Sequence, residues 1–426
     1  MRVPGGTAID VRALLARVEA GPPVEAAESV AATLAEGLDA RSVTFLVADF
    51  SGHAVVRLTS VGAVTGATGA RTEEQAETVP LEGTRYDRVL RSQQVDVQEL
   101  DDGARVIAPV TDRGDAIGLL ELDLPRYPTP EEVAEVAAGA HALAYVVIAA
   151  RRHTDLFEWG QRTTHFSLAA EIQRRLLPDA YTCEAGQFTL AGWLEPASSV
   201  GGDTFDYVLD RTSLQLSVSD AVGHEVSAAL LATLLVGALR NARRRGLPLT
   251  EQARSANEAL AAHAPVGQFV TGQLLRVDLA TGRAAVVNAG HPSPLRLRDG
   301  RVTEVALAVQ PAFGVDPGRA FVAQEFPLEP GDRIVFLTDG MQERNAASLD
   351  VAHTLAQTAD LHPREVVHEL GAAVMRATHG DLRDDATMIC LDWYGGPLRP
   401  RDADDGSGRR LASPALAPEQ VGQGGR

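Results

Sequence analysis

The sequence predicts an α+β protein in which the larger half, residues 188–394, is built from two antiparallel sheets with helices on the outside. It is preceded by a smaller mixed half over residues 1–150. Three observations support this. Short runs of β-branched and aromatic residues recur along the chain, separated by Gly-containing turns. Long helical patterns are few and fall in the connections. The 426 residues are 45% hydrophobic, enough apolar material for two cores.

In the first half, EAAESVAATLAEGLDA has apolar residues at helical spacing, and RSVTFLVADF and SGHAVVRLTSV read as a hairpin across a Ser-Gly turn. The polar stretch TGATGARTEEQAET reads as a mobile loop and PLEGTRYDRVLRSQQ as a short helix. RVIAPVTDRGDAIGLLELDLP reads as two strands joined at Asp-Arg-Gly-Asp. A long helix follows from Thr129, a side chain suited to capping, with two glutamates in the first turn. This order, with PLEGT…VLRS and VIAPV…IGLLEL, resembles a GAF-type sensory domain of the α/β kind. The resemblance implies a small-molecule or protein ligand; no cysteine is present there to attach one covalently.

Residues 151–187 read as a mostly helical linker that Pro178 stops. Its apolar stripe, Phe166, Leu168, Ile172, Leu176 and Leu177, would pack on a neighbour or pair with a second copy, and a homodimer is expected.

In the second half, FTLAGWLEPASS leads into VGGD, and LQLSVSD is an alternating strand ending at Asp220. EVSAALLATLLVGALRNARRRG is an apolar helix whose final arginines, Arg240, Arg243, Arg244 and Arg245, read as helix-end solvation. TEQARSANEALAAHA is a second helix. Hairpins follow at Ala-Thr-Gly and Asp299-Gly300, then the core strand RIVFLTDG, a helix closed by Gly380, and the last strand TMICLDW. Residues 395–426, rich in Pro, Gly and charge, are expected to be disordered.

A formal charge of −18 argues against nucleic acid or an anionic membrane as partner. Cys183 and Cys390 read as buried thiols in a reducing compartment. The N-terminus lacks the apolar core of a signal peptide, and the longest apolar run, residues 226–239, is too short to span a bilayer. A soluble cytoplasmic protein is expected.

The chemistry lies in four aspartates at strand ends: Asp203 in VGGDTFDY, Asp220 in SDAVGHE, Asp339 in LTDGMQE and Asp384 in LRDDAT. Singly, each Asp-Gly or Gly-Asp is an ordinary turn. Four in one domain point to a hard divalent cation, Mg²⁺ or Mn²⁺, which selects carboxylate and water oxygens. Two such ions can clamp a phosphoryl group for attack by water. The Ala221 carbonyl can add a neutral ligand. Of Asp384 and Asp385 only one can face a given side of an extended segment. Asp206 reads as a solvated turn residue or a supporting carboxylate. GGDTF is similar to the GGDEF signature of diguanylate cyclases, but Thr204 replaces its metal-serving acid, and that reading leaves the downstream TDG and DDAT unexplained.

EIQRRLLP, VGGDTFDY, SDAVGHEVSAALL, NAGHPSPL, LEPGDRIVFLTDGMQE and DDAT, in that order over residues 160–394, closely resemble the SpoIIE-type branch of the PPM metal-dependent serine/threonine protein phosphatases. The resemblance implies an α-β-β-α sandwich and a centre of two Mn²⁺ or Mg²⁺ ions. Asp203, Asp220, Ala221 through its carbonyl, Asp339 and Asp384 would be the ligands. It also implies a phosphorylated regulatory protein, anti-anti-sigma-like, as substrate, and a switch at EIQRRLLP. Glu225 departs from the family's Gly-His-Gly. Val222 stands where eukaryotic relatives place a histidine, and His224 and His291 read as loop-ordering residues. The alternative is a catalytically inactive docking module, against which the retention of all four aspartates argues.

Overall fold

The computed structural model describes residues 10–61, 76–163, 166–196, 201–342, 349–380, 382–397, 400–401 and 406–408. The chain divides into two units, Met1–His165 with Asp402–Arg426, and Phe166–Arg401.

In the first unit the helices are α1 (Val11–Ala20), α2 (Ala26–Leu38), α3 (Arg85–Ser92), α4 (Pro130–Ala150) and α5 (Leu156–Gly160). The strands are β1 (Ser42–Ala48), β2 (Ala54–Val61), β3 (Thr78–Pro80), β4 (Asp96–Leu100), β5 (Gly103–Asp112) and β6 (Asp115–Leu124). They form one antiparallel sheet in the order β3-β2-β1-β6-β5-β4. Period-two alternation sends Phe45, Leu120 and Leu122 to the face covered by α2 and α4, and Leu46, Ile107 and Leu119 to the face under α3. Glu121 is buried on that second face. It accepts from Arg57 at 2.9 Å and from the Tyr86 hydroxyl, which burial and this carboxylate together push up to about 12. Thr129 caps α4 in a full capping box with Glu132. The short strand β4 and the helix α1 add to the elements read from the sequence. The mobile-loop reading of residues 65–78 falls mostly outside the described residues.

In the second unit the helices are α6 (Leu168–Leu176), α7 (Glu225–Arg244), α8 (Leu249–His263), α9 (Val351–Gln357) and α10 (Pro363–Ala377). The strands are β7 (Thr182–Glu184), β8 (Phe188–Glu195), β9 (Thr204–Leu209), β10 (Ser213–Ala221), β11 (Val270–Asp278), β12 (Arg283–Ala289), β13 (Leu295–Arg298), β14 (Arg301–Glu304), β15 (Gln324–Pro327), β16 (Asp332–Leu337) and β17 (Ala386–Trp393). Two antiparallel sheets result, β15-β12-β11-β10-β9 and β14-β13-β16-β17-β8-β7. Their inner faces meet through Leu216, Val218, Leu275 and Val286 on one side and Leu190, Phe336, Ile389 and Leu391 on the other. The outer face of the first sheet packs on α7 and α8 through Leu274, Val287, Leu235 and Leu260. The outer face of the second packs on α9 and α10 through Val335, Met388, Leu355 and Leu370. The layers are helix, sheet, sheet, helix, as the sequence predicts.

Two expectations are corrected. The linker is not one helix: α5 and α6 are separate and belong to different units. Helix α6 ends where Leu177, held extended at ψ 161° ahead of Pro178, cannot continue it. It buries Ala169, Ala170, Gln173 and Leu177, leaving Leu168 exposed and Ile172 and Leu176 half-buried. The chain after 395 is not uniformly loose either. Gly406–Gly408 are buried in the first unit, where Gly406 O accepts from Gly114 N at 3.0 Å. Cys183 and Cys390 are buried free thiols. Helices α4 and α7 are long and apolar enough to cross a membrane by length and composition, though each buries one face in its own unit.

Gly406 has φ +95°, and a Cβ there would stand 2.0 Å from Thr111 O. Gly406→Val is therefore expected to eject this segment. Hydrogen exchange should then show the Gly114 amide losing protection while Leu119, deep in β6, keeps it. Unchanged protection at Gly114 contradicts the docked geometry.

Candidate metal centre

Alternation along β10 points Leu214, Leu216 and Val218 into the apolar interior, and the same register brings Asp220 inward at the sheet's end. On β16, Ile334 and Phe336 lie inside and Thr338 follows them, handing the chain to Asp339. Strand β17 starts from Asp384 and Asp385. The turn before β9 brings Asp203 to the same place, with the Thr338 hydroxyl donating to Asp203 Oδ2 at 2.7 Å. One end of the sandwich thus changes from aliphatic to acidic within a residue or two of each strand.

The four aspartates differ in setting. Asp203, read from the sequence as exposed, is buried at 2% exposure and precedes its strand. Burial and the repulsion of Asp220 and Asp385 hold its carboxyl well above the usual range, partly offset by the Thr338 and Thr387 hydroxyls. Asp220 is half-buried. Desolvation and the charges of Asp339, Asp384 and Asp385 push it up to about 7. Asp384, also half-buried, is raised by desolvation and by Asp339, against the lowering effect of a bond from the Asp385 amide. Asp339 is exposed. Among the described residues, the charges named as perturbing Asp203, Asp220 and Asp384 are all acidic. Gly202 is required for the approach of Ala221: a Cβ at 202 would lie 2.5 Å from the Ala221 carbonyl oxygen. Gly340 has the same role beside Asp339, where a Cβ would meet Asp385 O at 1.9 Å.

The structure separates the roles of Asp384 and Asp385. Asp385 is buried, and its Oδ2 accepts from Gly202 N at 3.0 Å and from Gln173 Nε2 at 2.6 Å. The same Gln173 amide donates to Asp203 O at 2.8 Å. Gln173 on α6 therefore holds both the Asp203 turn and Asp385. Sequence reading missed it because it sought the apolar stripe. The available signal was a glutamine in register with Ala169 and Leu177. Asp206 is not a solvated residue: it is 4% exposed and bound to Arg240 and Arg243, each at 2.9 Å. Arg240 also donates to Leu176 O at 2.6 Å. The expected helix-end solvation holds only for Arg244 and Arg245, both exposed.

His291 does order its loop, exchanging two 2.9 Å bonds with the Asn288 side chain. His224 and Val222 are exposed, and His224 precedes α7 without a side-chain capping bond. Glu225 opens α7 with φ +58°, a left-handed conformation that costs a non-glycine residue about 1 kcal/mol. This explains what a glycine at that position supplies.

Among the described residues, no three Asp, Glu, His or Cys side chains group closely enough to enclose an ion by themselves. The donor chemistry still fits hydrated divalent cations, which take one or two carboxylates each and keep several waters.

Residues 210–394 match the family model described as Stage II sporulation protein E (SpoIIE). Among curated proteins, the chain is similar to the phosphoserine phosphatase RsbU of Bacillus subtilis (strain 168), 20% identical over 54% of this chain and 70% of that one. It is also similar to the phosphoserine phosphatase RsbP of the same organism, 24% identical over 42% of this chain and 45% of that one. The chain thus spans under half of RsbP. Among solved structures it is similar to the PP2C phosphatase domain and regulatory-domain fragment of SpoIIE from Bacillus subtilis. The identity is 13% and the TM-score 0.43, covering 71% of this chain and 83% of that one.

Two outcomes follow from this geometry. A carboxyl raised in the folded state binds more protons there than when unfolded, so its contribution to stability is greatest at low pH and falls as pH rises towards the folded pKa. For Asp220 that window runs from about 4 to about 7. Thermal unfolding in EDTA should show the protein less stable at pH 8 than at pH 5, by on the order of 2 kcal/mol. Asp220→Asn should flatten the dependence, and a flat wild-type profile contradicts the electrostatics. Separately, Glu225→Gly should be more stable than Glu225→Ala by about 1 kcal/mol, reversing the usual helix preference. Denaturant unfolding of the two variants decides the sign.

Proposed function

With residues 210–394 forming a SpoIIE-type PPM phosphatase domain, we propose that this chain hydrolyses phosphoserine or phosphothreonine on a regulatory partner protein, using two divalent cations, Mn²⁺ or Mg²⁺. The observation that carries the proposal is the acidic end of the sandwich, where Asp203, Asp220 and Asp384 are each raised by desolvation and by acidic neighbours. Asp203, Asp220, Asp339, Asp384 and the Ala221 carbonyl would hold the ions. When bound, they would neutralise phosphoryl charge and acidify water for in-line attack.

The chain's own residues prepare that site. Asp385 and Gln173 fix the Gly202–Asp203 main chain, so that the Asp203 carboxylate is placed before any ligand arrives. The Thr338 hydroxyl orients one of its oxygens. Val222 has no proton to give, and His291 is buried against Thr271. A proton for the departing seryl oxygen would come from exposed His224 or from solvent.

We further propose that the first unit is a GAF-like sensory domain and that α6 is the switch. Displacing α6 would carry Gln173 away from Asp203 O, while Arg240 ties its last turn to Asp206. Pairing of two copies through Leu168, Ile172 and Leu176 fits the half-exposed stripe on this helix. An anti-anti-sigma-like phosphoprotein as substrate, and a cytoplasmic site of action, complete the reading.

The test is hydrolysis of p-nitrophenyl phosphate and of a phosphoserine peptide with Mn²⁺ or Mg²⁺. Asp220→Asn and Asp339→Asn should each lower turnover by at least about a hundredfold, on the scale of losing a transition-state contact, with the fold retained. Gln173→Leu should lower it about tenfold or more. Full turnover by either aspartate variant, or in excess EDTA, overturns the proposal. A wild-type protein inert with both ions favours the docking-module alternative.

A further inference from the structure

His291 has no part in the chemistry above, yet its surroundings are built with care. The NAGHP turn is clamped by Asn288, and Gly290 passes Ala312 at φ +73°, where a Cβ would lie 3.3 Å from the Ala312 side chain. The imidazole that results is 3% exposed, with Nδ1 2.9 Å from Thr271 Oγ1.

Thr271 stands directly opposite Asp220 in the β10–β11 ladder. Partners across an antiparallel pair point to the same face with Cβ atoms about 5 Å apart. Thr271 and Asp220 are therefore neighbours on the inner face. On its other side the ring faces the Leu337 main chain, whose contact favours the protonated nitrogen, although Nε2 makes no hydrogen bond of standard geometry. Leu337 is the last residue of β16, two before Asp339. Burial pushes the imidazole down to about 4, so it is neutral near pH 7. A neutral imidazole keeps one bare nitrogen, and Nδ1 shares a hydrogen bond with the Thr271 hydroxyl.

The ring is therefore bonded to the strand pair that carries Asp220 and lies beside the main chain at the end of β16, which delivers Asp339. Asp339 heads the charges that repel Asp220. A cationic residue there would neutralise the site.

We propose that His291 is a positioning residue for the cation site, its imidazole fixing the spacing of Asp220 and Asp339 through the Thr271 hydroxyl and the Leu337 main chain. This rests on reading the acidic end as a divalent-cation site. The alternative is a ring that merely fills space beneath the loop.

Mn²⁺ affinity of the full chain, measured by electron paramagnetic resonance titration, separates the two. His291→Phe keeps the ring and its packing but removes both nitrogens, and Thr271→Val removes only the hydroxyl. Each should weaken Mn²⁺ binding about tenfold or more. Because both break one connection, the double variant should be within about twofold of the weaker single variant. Wild-type affinity in Thr271→Val, or losses that multiply in the double variant, overturn the proposal. If His291→Phe fails to fold, Thr271→Val alone decides it. A wild-type chain that takes up no Mn²⁺ overturns the underlying cation reading as well, a result visible before any variant is made.

Discussion

Mutual repulsion among the carboxyl groups of Asp203, Asp220, Asp339, Asp384 and Asp385 is the constraint on which the catalytic unit depends. Like charges gathered at one end of a sandwich resist folding unless they are protonated, spread into water or matched by cations. Here the elevated Asp203 and Asp220 carboxyls record the strain of the first alternative, and the exposed Asp339 the second. The apolar interior beneath them, from Val218 and Phe336 to Ile389, is what concentrates the charge at a single end. Without that interior the same aspartates would be ordinary turn residues.

The remaining polar structure holds these charges where they repel. Asp385 accepts from the backbone amide of Gly202 and from the Gln173 side-chain amide. Asp206 is balanced by two arginines, one of which also binds the final turn of α6. Asp206 and Asp385 are bound to N–H donors, whereas Asp203 and Asp220 face carboxylates that repel them. This division is the chemical distinction between a structural acid and one reserved for a ligand. Helix α6 meets Asp203 and Asp385 directly through Gln173 and Asp206 only through Arg240, the linkage on which the proposed switch rests.

Much of this was legible in the sequence where the signal is local. Alternation in LQLSVSD and the apolar run in RIVFL place β10 and β16, and with them Asp220 and the start of the Asp339 turn. The first unit showed its helices and hairpins for the same reason, through period and turn chemistry. What the sequence concealed depends on distant partners. Gln173 and Asp385 are 212 positions apart, and Asp206 looked like a turn residue because Arg240 and Arg243 sit on a helix over 30 residues on. Helix propensity across 153–177 suggested one continuous linker. Tertiary contacts instead rotate α6 to bury Ala169 and Gln173, since only small residues let it approach Gly201. Glu225 could be recognised as a departure from the family pattern, but its left-handed backbone required coordinates.

The most direct test of the central claim is an anomalous-difference map from crystals of the full chain grown with Mn²⁺, collected at the manganese edge. The account predicts two peaks within coordination distance of Asp203, Asp220, Asp339 and Asp384, with the Ala221 carbonyl beside them and Asp385 still bound to Gly202 N. Peaks elsewhere, or none at this acidic end at millimolar Mn²⁺, would contradict it.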